Sequence, residues 1–189
     1  MIGGLSSLEK RLTSYQNRLH IKNHPHFTMN NDRNEIYAIP ENKLYIPSET
    51  GRLFDLDDAF ISLVMGPYGS GKSTMCINKI VRRACAMPFW WNGRRRSRWG
   101  IVRNTSGELQ TTTLKTWLDW FGELGDLFKR QKPILTYEHH FNDGLGIVEL
   151  ELLFIALDRE DDVRKIKSLE LTGCYINELS EVPKAALAH

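Results

Sequence analysis

Apolar residues change their spacing several times along the chain, and each change predicts an element. From Ser6 to Ile21, Leu8, Leu12, Tyr15 and Leu19 recur at helical spacing on a narrow face, with Ser6 or Ser7 placed to cap it. This predicts a docking arm rather than a core helix. Asn30 to Glu49 is polar and broken by Pro40 and Pro47, which predicts a surface loop or an entry strand. Gly51 to Asp58 then leads into Phe60-Ile61-Ser62-Leu63-Val64-Met65, a short apolar run that suits a buried strand. Met75 to Ala84 lacks Gly and Pro and carries Cys76, Ile77, Ile80 and Val81 at helical spacing. Trp99 to Val102 predicts a second strand, ending at Arg103-Asn104-Thr105. The apolar stripe of Leu109, Leu114, Trp117, Leu118, Phe121 and Leu124 that follows predicts a helix. Within it, β-branched Thr111-Thr112-Thr113 lowers helix propensity or marks a helix start.

Ile134 to Phe141 and Ile147 to Leu157 bracket Asn142-Asp143-Gly144-Leu145-Gly146, a hairpin pattern. Alternation of Val148, Leu150 and Leu152 with Glu149 and Glu151 leaves one side of the second strand wet. Arg159 to Leu169 predicts a short helix with its acids first and its bases last, Leu171 to Ile176 a strand ending in Asn177-Glu178, and Val182-Pro183 the start of a last helix. Strands that alternate with helices place the chain in the α/β class.

Between the Phe60–Met65 run and the Met75–Ala84 helix lies Gly66-Pro67-Tyr68-Gly69-Ser70-Gly71-Lys72-Ser73-Thr74, which fits the phosphate-binding pattern G-x-x-x-x-G-K-[ST]. Glycines let the backbone turn tightly against a polyphosphate, and amides at a helix N-terminus favour its negative charge. Lys72 would reach the β- and γ-phosphates of ATP, and the Ser73 hydroxyl would sit on Mg²⁺. Strand, loop, helix is the order this chemistry needs, and a P-loop NTPase fold is the expectation. Phe54, just upstream, is either an adenine-stacking ring or a plain core contact. Hydrolysis further needs a group that orients water, commonly at the C-terminal end of a neighbouring strand. Glu178 stands at such an end, and Asn177 occupies the place where a magnesium-contacting acid is often found.

Composition changes this picture little. The chain has 189 residues, a net charge of +2 and 25% charged residues, which describe one ordinary domain, or one domain with an arm. No apolar run approaches membrane-spanning length, and the start does not read as a signal peptide. Three cysteines (Cys76, Cys85 and Cys174) without a C-x-x-C indicate neither a disulfide framework nor a zinc site. His24-Pro25-His26 has no further ligands near it, and His139-His140 would face opposite ways on a strand. Pro88 to Trp99 interleaves Phe89, Trp90 and Trp91 with Arg94, Arg95, Arg96 and Arg98. It reads as a solvated loop in preference to a DNA-phosphate contact.

Taken in order, the glycine loop, Trp99-Gly100-Ile101-Val102-Arg103-Asn104-Thr105, Thr112 to Trp117, Ala156 to Val163 and Leu169 to Glu178 resemble the ATPase domain of the large terminase subunit of tailed bacteriophages, in the branch with Asn-Glu at the hydrolytic strand. The resemblance implies a mostly parallel central sheet flanked by helices on both faces, with the β-hairpin as an insertion. It implies ATP and Mg²⁺ as cofactors, and it assigns the phosphate-binding roles to Gly66 through Thr74, the magnesium contacts to Ser73 and Asn177, and catalysis to Lys72 and Glu178. It further implies an arginine at the transition state, with Arg103, Arg159 and Arg164 as candidates and Arg103 taken first. The implied partners are double-stranded DNA, a portal protein, a small terminase subunit and further copies of the chain in a ring. The implied location is the cytoplasm of an infected bacterial host, transiently at the prohead portal. On this reading residues 1–50 are an arm and entry segment, and residues 51–189 are an ATPase core that stops before the nuclease domain of such subunits. The alternatives are a small P-loop kinase and a nucleotide-binding remnant without turnover. The lack of an N-K-x-D motif argues against a GTPase.

Overall fold

The computed structural model describes residues 27–30, 35–38, 45–122, 126–131, 134–143, 145–158, 162, 166 and 169–182. Near the N-terminus, β1 (Phe27–Asn30) and β2 (Glu35–Ala38) form a two-stranded antiparallel sheet. The expected arm helix, His24-Pro25-His26, Leu124, most of the Arg159–Leu169 helix and the chain from Pro183 onward lie outside the described residues.

The main sheet is organised around β3 (Arg94–Arg103), which pairs in parallel with β6 (Ile147–Ala156) on one side and β7 (Gly173–Ile176) on the other. β5 (Ile134–Asn142) lies antiparallel to β6, and β4 (Asp126–Gln131) antiparallel to β5, giving the order β4-β5-β6-β3-β7. The fold is therefore α/β with a mixed sheet, where a mostly parallel one was expected. The β5–β6 hairpin forms as predicted but is no insertion. Its second strand is the middle strand of the sheet, because Val148, Leu150 and Leu152 on one face and Leu153 and Ile155 on the other are all buried.

One face of this sheet carries the helices. Ile77, Ile80, Val81 and Ala84 of α2 (Lys72–Cys85) join Ile101, Val148, Leu150, Leu152 and Phe154 in the main core. So do Leu109, Leu114, Trp117 and Phe121 from a composite helix. It consists of α3 (Ser106–Glu108), a π-helical segment Leu109–Leu114 and α4 (Lys115–Phe121). On the opposite face, Val102, Leu153, Ile155 and Leu157 are covered by Leu169, Leu171 and Val182, so helices on both faces are not seen among the described residues. The π segment answers the low propensity of Thr111-Thr112-Thr113. Thr111 and Thr112 hydroxyls donate to the Gly107 and Glu108 carbonyls four residues back, competing with the regular helical ladder.

Phe60–Met65 does not form the expected strand. Phe60, Ile61, Leu63 and Met65 are exposed, and the run pairs with no strand of the sheet. An apolar run specifies burial but not a partner, and here local chemistry diverts the chain. Asp57 accepts from the Ala59 amide at 3.0 Å and from the Ser62 hydroxyl at 2.7 Å, a turn that competes with extended pairing. The segment before it, Glu49–Leu56, is a helix (α1) instead of a lead-in to a strand, because the Ser48 hydroxyl caps it by accepting from Gly51 N at 3.1 Å. Basic residues of α2 then hold the end of α1. Lys79 Nζ donates to the Phe54 and Asp57 carbonyls at 2.5 and 2.9 Å, and Arg82 pairs with Asp55 at 2.8 Å. Phe54 packs on the core with Lys79 Nζ 4.2 Å above its ring, which is the core-contact reading of that residue.

The Arg94–Arg98 run is likewise part of β3 and not a solvated loop. Alternation sends Arg95 into the core side, where it pairs with Asp143 and donates to the Cys85 and Gly146 carbonyls. Arg94 and Arg96 both clamp Glu149, and Arg98 reaches Glu151 at 2.5 Å. The wet side of β6 is thus dry at Glu149, which is buried between two guanidiniums.

Candidate functional site

The glycine loop leads directly into α2. Gly69 and Gly71 have φ of 75° and 79°, the left-handed region that side chains avoid. Gly71 is the N-cap of α2, and Lys72 its first residue. Left-handed residues alternating with others turn successive amides toward one side, an anion-binding arrangement strengthened by the helix dipole. Ser70 tightens the turn by donating to the Pro67 carbonyl at 2.8 Å. Lys72 folds back over the loop, its Nζ 2.8 Å from the Gly66 carbonyl and 2.7 Å from that of Pro67. The same ammonium lies 6.0 Å from the centre of the Tyr68 ring. Tyr68 is exposed at the tip, and Thr74 lies within α2, its carbonyl accepting from Asn78.

Across from the loop, three parallel strands end together. Leu157 N donates to the Arg103 carbonyl and Asn177 N to that of Val102, both at 2.9 Å, so the segments after β6, β3 and β7 leave the sheet side by side. Ligands of open α/β sheets bind beyond such carboxyl ends. Tyr175 packs against the core that α2 lines, which brings this edge beside the start of that helix. Burial, above all, pushes the Tyr175 hydroxyl far above its ordinary value, so it remains a donor at neutral pH. It donates to Asn177 Oδ1 at 3.0 Å, and Asn177 Nδ2 donates to Thr113 Oγ1 at 2.9 Å. The Asn177 amide is therefore engaged at both ends within the protein. Glu178 follows at φ 54°, ψ 60°, the one non-glycine residue with positive φ among the described residues. Backbone held in that region is costly and is found where the surrounding structure fixes it, often at functional sites.

Arg103, at the end of β3, is nine-tenths buried and committed. Its Nε lies 3.3 Å from Glu108, its Nη1 donates to Thr112 Oγ1 at 3.2 Å, and Glu181 stands 3.8 Å away. Arg159 and Arg164 lie outside the described residues. The structure thus links Asn177 through Thr113 and Thr112 to Arg103, which sits in an ion-paired network, while Lys72 bonds within its own loop. Sequence reasoning missed Tyr175 and Thr113. Tyr175 was reachable, since it lies two residues before Asn177 and so on the same strand face. Thr113 carried no signal, because its role depends on a contact 64 residues away in sequence.

Among the described residues no group of three or more His, Cys, Asp or Glu could hold a metal ion, and no helix is long and apolar enough to cross a membrane. The chain matches no known family model, no curated protein and no solved structure.

Proposed function

We propose that the chain is a P-loop ATPase domain that binds ATP with Mg²⁺ and hydrolyses it to drive double-stranded DNA into a viral prohead, as in a terminase motor. The observation that supports the nucleotide reading is the glycine loop itself: left-handed Gly69 and Gly71 open α2, and Lys72 folds back over the loop onto the Gly66 and Pro67 carbonyls. In this reading the loop amides and Lys72 bind the β- and γ-phosphates, and Ser73 contacts the cation, which neutralises phosphate charge. Glu178 orients the attacking water, and Asn177 shapes the cation's surroundings. The resemblance of the motif set to phage terminases supports the DNA-packaging assignment, and with it a portal protein, a small terminase subunit and a ring of copies as partners. Work would take place in the cytoplasm of the infected host.

The test is ATP turnover with and without double-stranded DNA. Lys72→Ala abolishes nucleotide binding, whereas Glu178→Gln retains binding and loses turnover. Wild-type turnover by Glu178→Gln refutes the catalytic assignment. A second reading, nucleotide binding without turnover, is favoured by the commitment of Arg103 to Glu108 and Glu181. ATP affinity with no turnover even in the presence of DNA decides for it.

A further inference from the structure

Glu178 lies between two tethers. Before it, Asn177 is fixed at three points. Its backbone N donates to the Val102 carbonyl at 2.9 Å, its Oδ1 accepts from the Tyr175 hydroxyl at 3.0 Å, and its Nδ2 donates to Thr113 Oγ1 at 2.9 Å. Thr113 is only 2% exposed, so water cannot readily take its place. After Glu178 the chain makes a single turn, Leu179–Glu181, closed by the Glu181 amide donating to the Glu178 carbonyl at 2.9 Å and followed by buried Val182. Glu181 stands 3.8 Å from Arg103 Nη2. The same guanidinium donates through Nη1 to Thr112 at 3.2 Å and pairs through Nε with Glu108 at 3.3 Å. Thr112 and Thr113 are consecutive residues of the π segment, so both tethers are rooted in one element. Held from both sides, Glu178 takes φ 54°, ψ 60°, a conformation that a residue with a Cβ leaves when nothing enforces it.

We propose that Thr113 and Arg103 are positioning residues for Glu178: Thr113 through Asn177, and Arg103 through Glu181, hold the Glu178 backbone left-handed and so fix where its carboxylate points. Three nitrogens of Arg103 have three separate partners, and turning the guanidinium to a phosphate would release the turn that carries Glu178. Arg103 thereby has a task in place of the transition-state contact expected of it. The π segment has one too, since it presents Thr113 to Asn177 and Thr112 to Arg103 from adjacent positions.

This proposal rests on the reading of Glu178 above, and the experiment separates the two. Its first arm needs no nucleotide. Glu178→Gly relieves the left-handed residue and raises the urea midpoint of the otherwise wild-type chain by roughly 0.5 M. In a Thr113→Val background, where the turn is released, the same substitution gives no gain. An equal gain in both backgrounds overturns the tether. The second arm is steady-state ATP turnover. Thr113→Val and Glu181→Gln each lower kcat roughly fivefold, the worth of one hydrogen bond, with KM unchanged, and Thr113→Ser, which keeps the hydroxyl, restores it. Wild-type kcat in folded Thr113→Val overturns the role of Thr113. Wild-type kcat in Glu181→Gln together with a loss in Arg103→Gln returns Arg103 to the transition state. Far-ultraviolet circular dichroism confirms folding, and if Thr113→Val does not fold, Glu181→Gln, at a half-exposed site, carries both arms. An absence of turnover in the wild-type protein refutes the catalytic reading of Glu178, while the midpoint comparison still decides the tether.

Discussion

Arg95 offers the sharpest test of how the sheet is held. Its side chain is 2% exposed and its partner Asp143 is fully buried. The guanidinium joins three parts of the fold: the end of α2 through the Cys85 carbonyl, the hairpin turn through Asp143 and the Gly146 carbonyl, and Phe89, whose ring centre lies 4.8 Å from its carbon. Arg95→Met keeps the length of the stem but removes the charge and every donor, stranding the Asp143 carboxylate in the core. Breaking a buried pair from one side costs about 3–5 kcal/mol, against a total stability of about 5–15 kcal/mol for a typical domain. With a urea m-value of about 2 kcal/mol/M, the midpoint falls by roughly 1.5–2.5 M. Asp143→Leu costs a similar amount by stranding Arg95. The double variant Arg95→Met/Asp143→Leu removes both charges and is more stable than either single variant, retaining a cost of about 1–3 kcal/mol for the unpaired Cys85 and Gly146 carbonyls. Urea unfolding followed by tryptophan fluorescence, with the fully buried Trp117 as a core reporter, measures all four proteins. Additive single costs, or an Arg95→Met cost below about 1 kcal/mol, would show that the pair is not held in a dry core.

Three further outcomes are expected. Ser48→Ala removes the cap of α1 and lowers stability by about 1 kcal/mol, read from the same urea curves; no change would mean that the Ser48–Gly51 bond does not persist in solution. At Gly173 an added Cβ would run into the Trp99 ring, so Gly173→Ala costs about 1–3 kcal/mol, displaces β7 and shifts the tryptophan emission; a silent substitution would refute the β3–β7 register. For Glu149, burial raises the carboxyl but hydrogen bonds from Arg94 and Arg96 outweigh it, and the folded value lies below the ordinary 4.5. A depressed carboxylate contributes stability that is complete above its unfolded value and is lost as pH falls through the folded one. Glu149→Gln therefore unfolds with a shallower acid dependence than wild type in thermal melts between pH 6 and 3, and parallel profiles would contradict the clamp.

Legibility in the sequence followed the range of the interactions. The helix from Lys72 to Cys85, the β5–β6 hairpin and the strand ending before Asn177-Glu178 were readable because spacing, glycine placement and turn residues act over a few positions. Phe60–Met65 misled because apolarity marks what prefers burial without naming a partner, and the Asp57 turn decided the local course. Arg94–Arg98 misled for the opposite reason. A basic run suggests solvent, yet two acids distant in the chain, Asp143 and Glu149, made it the start of the sheet's organising strand.

At the candidate site the same division holds. The sequence by itself determined the loop: three glycines, a lysine and a hydroxyl at fixed spacing dictate a left-handed turn into a helix N-terminus, and a backbone with no Cβ needs no distant help to make it. Only the tertiary structure decided what faces that loop. Tyr175 packed against the core that α2 lines, Asn177 held by Thr113, and Arg103 drawn to Glu181 are contacts between segments far apart in the chain. Such contacts exist because parallel pairing of β6, β3 and β7 brings their carboxyl ends to one edge, and hydrogen bonds at that edge are set by position in space and not by position in sequence.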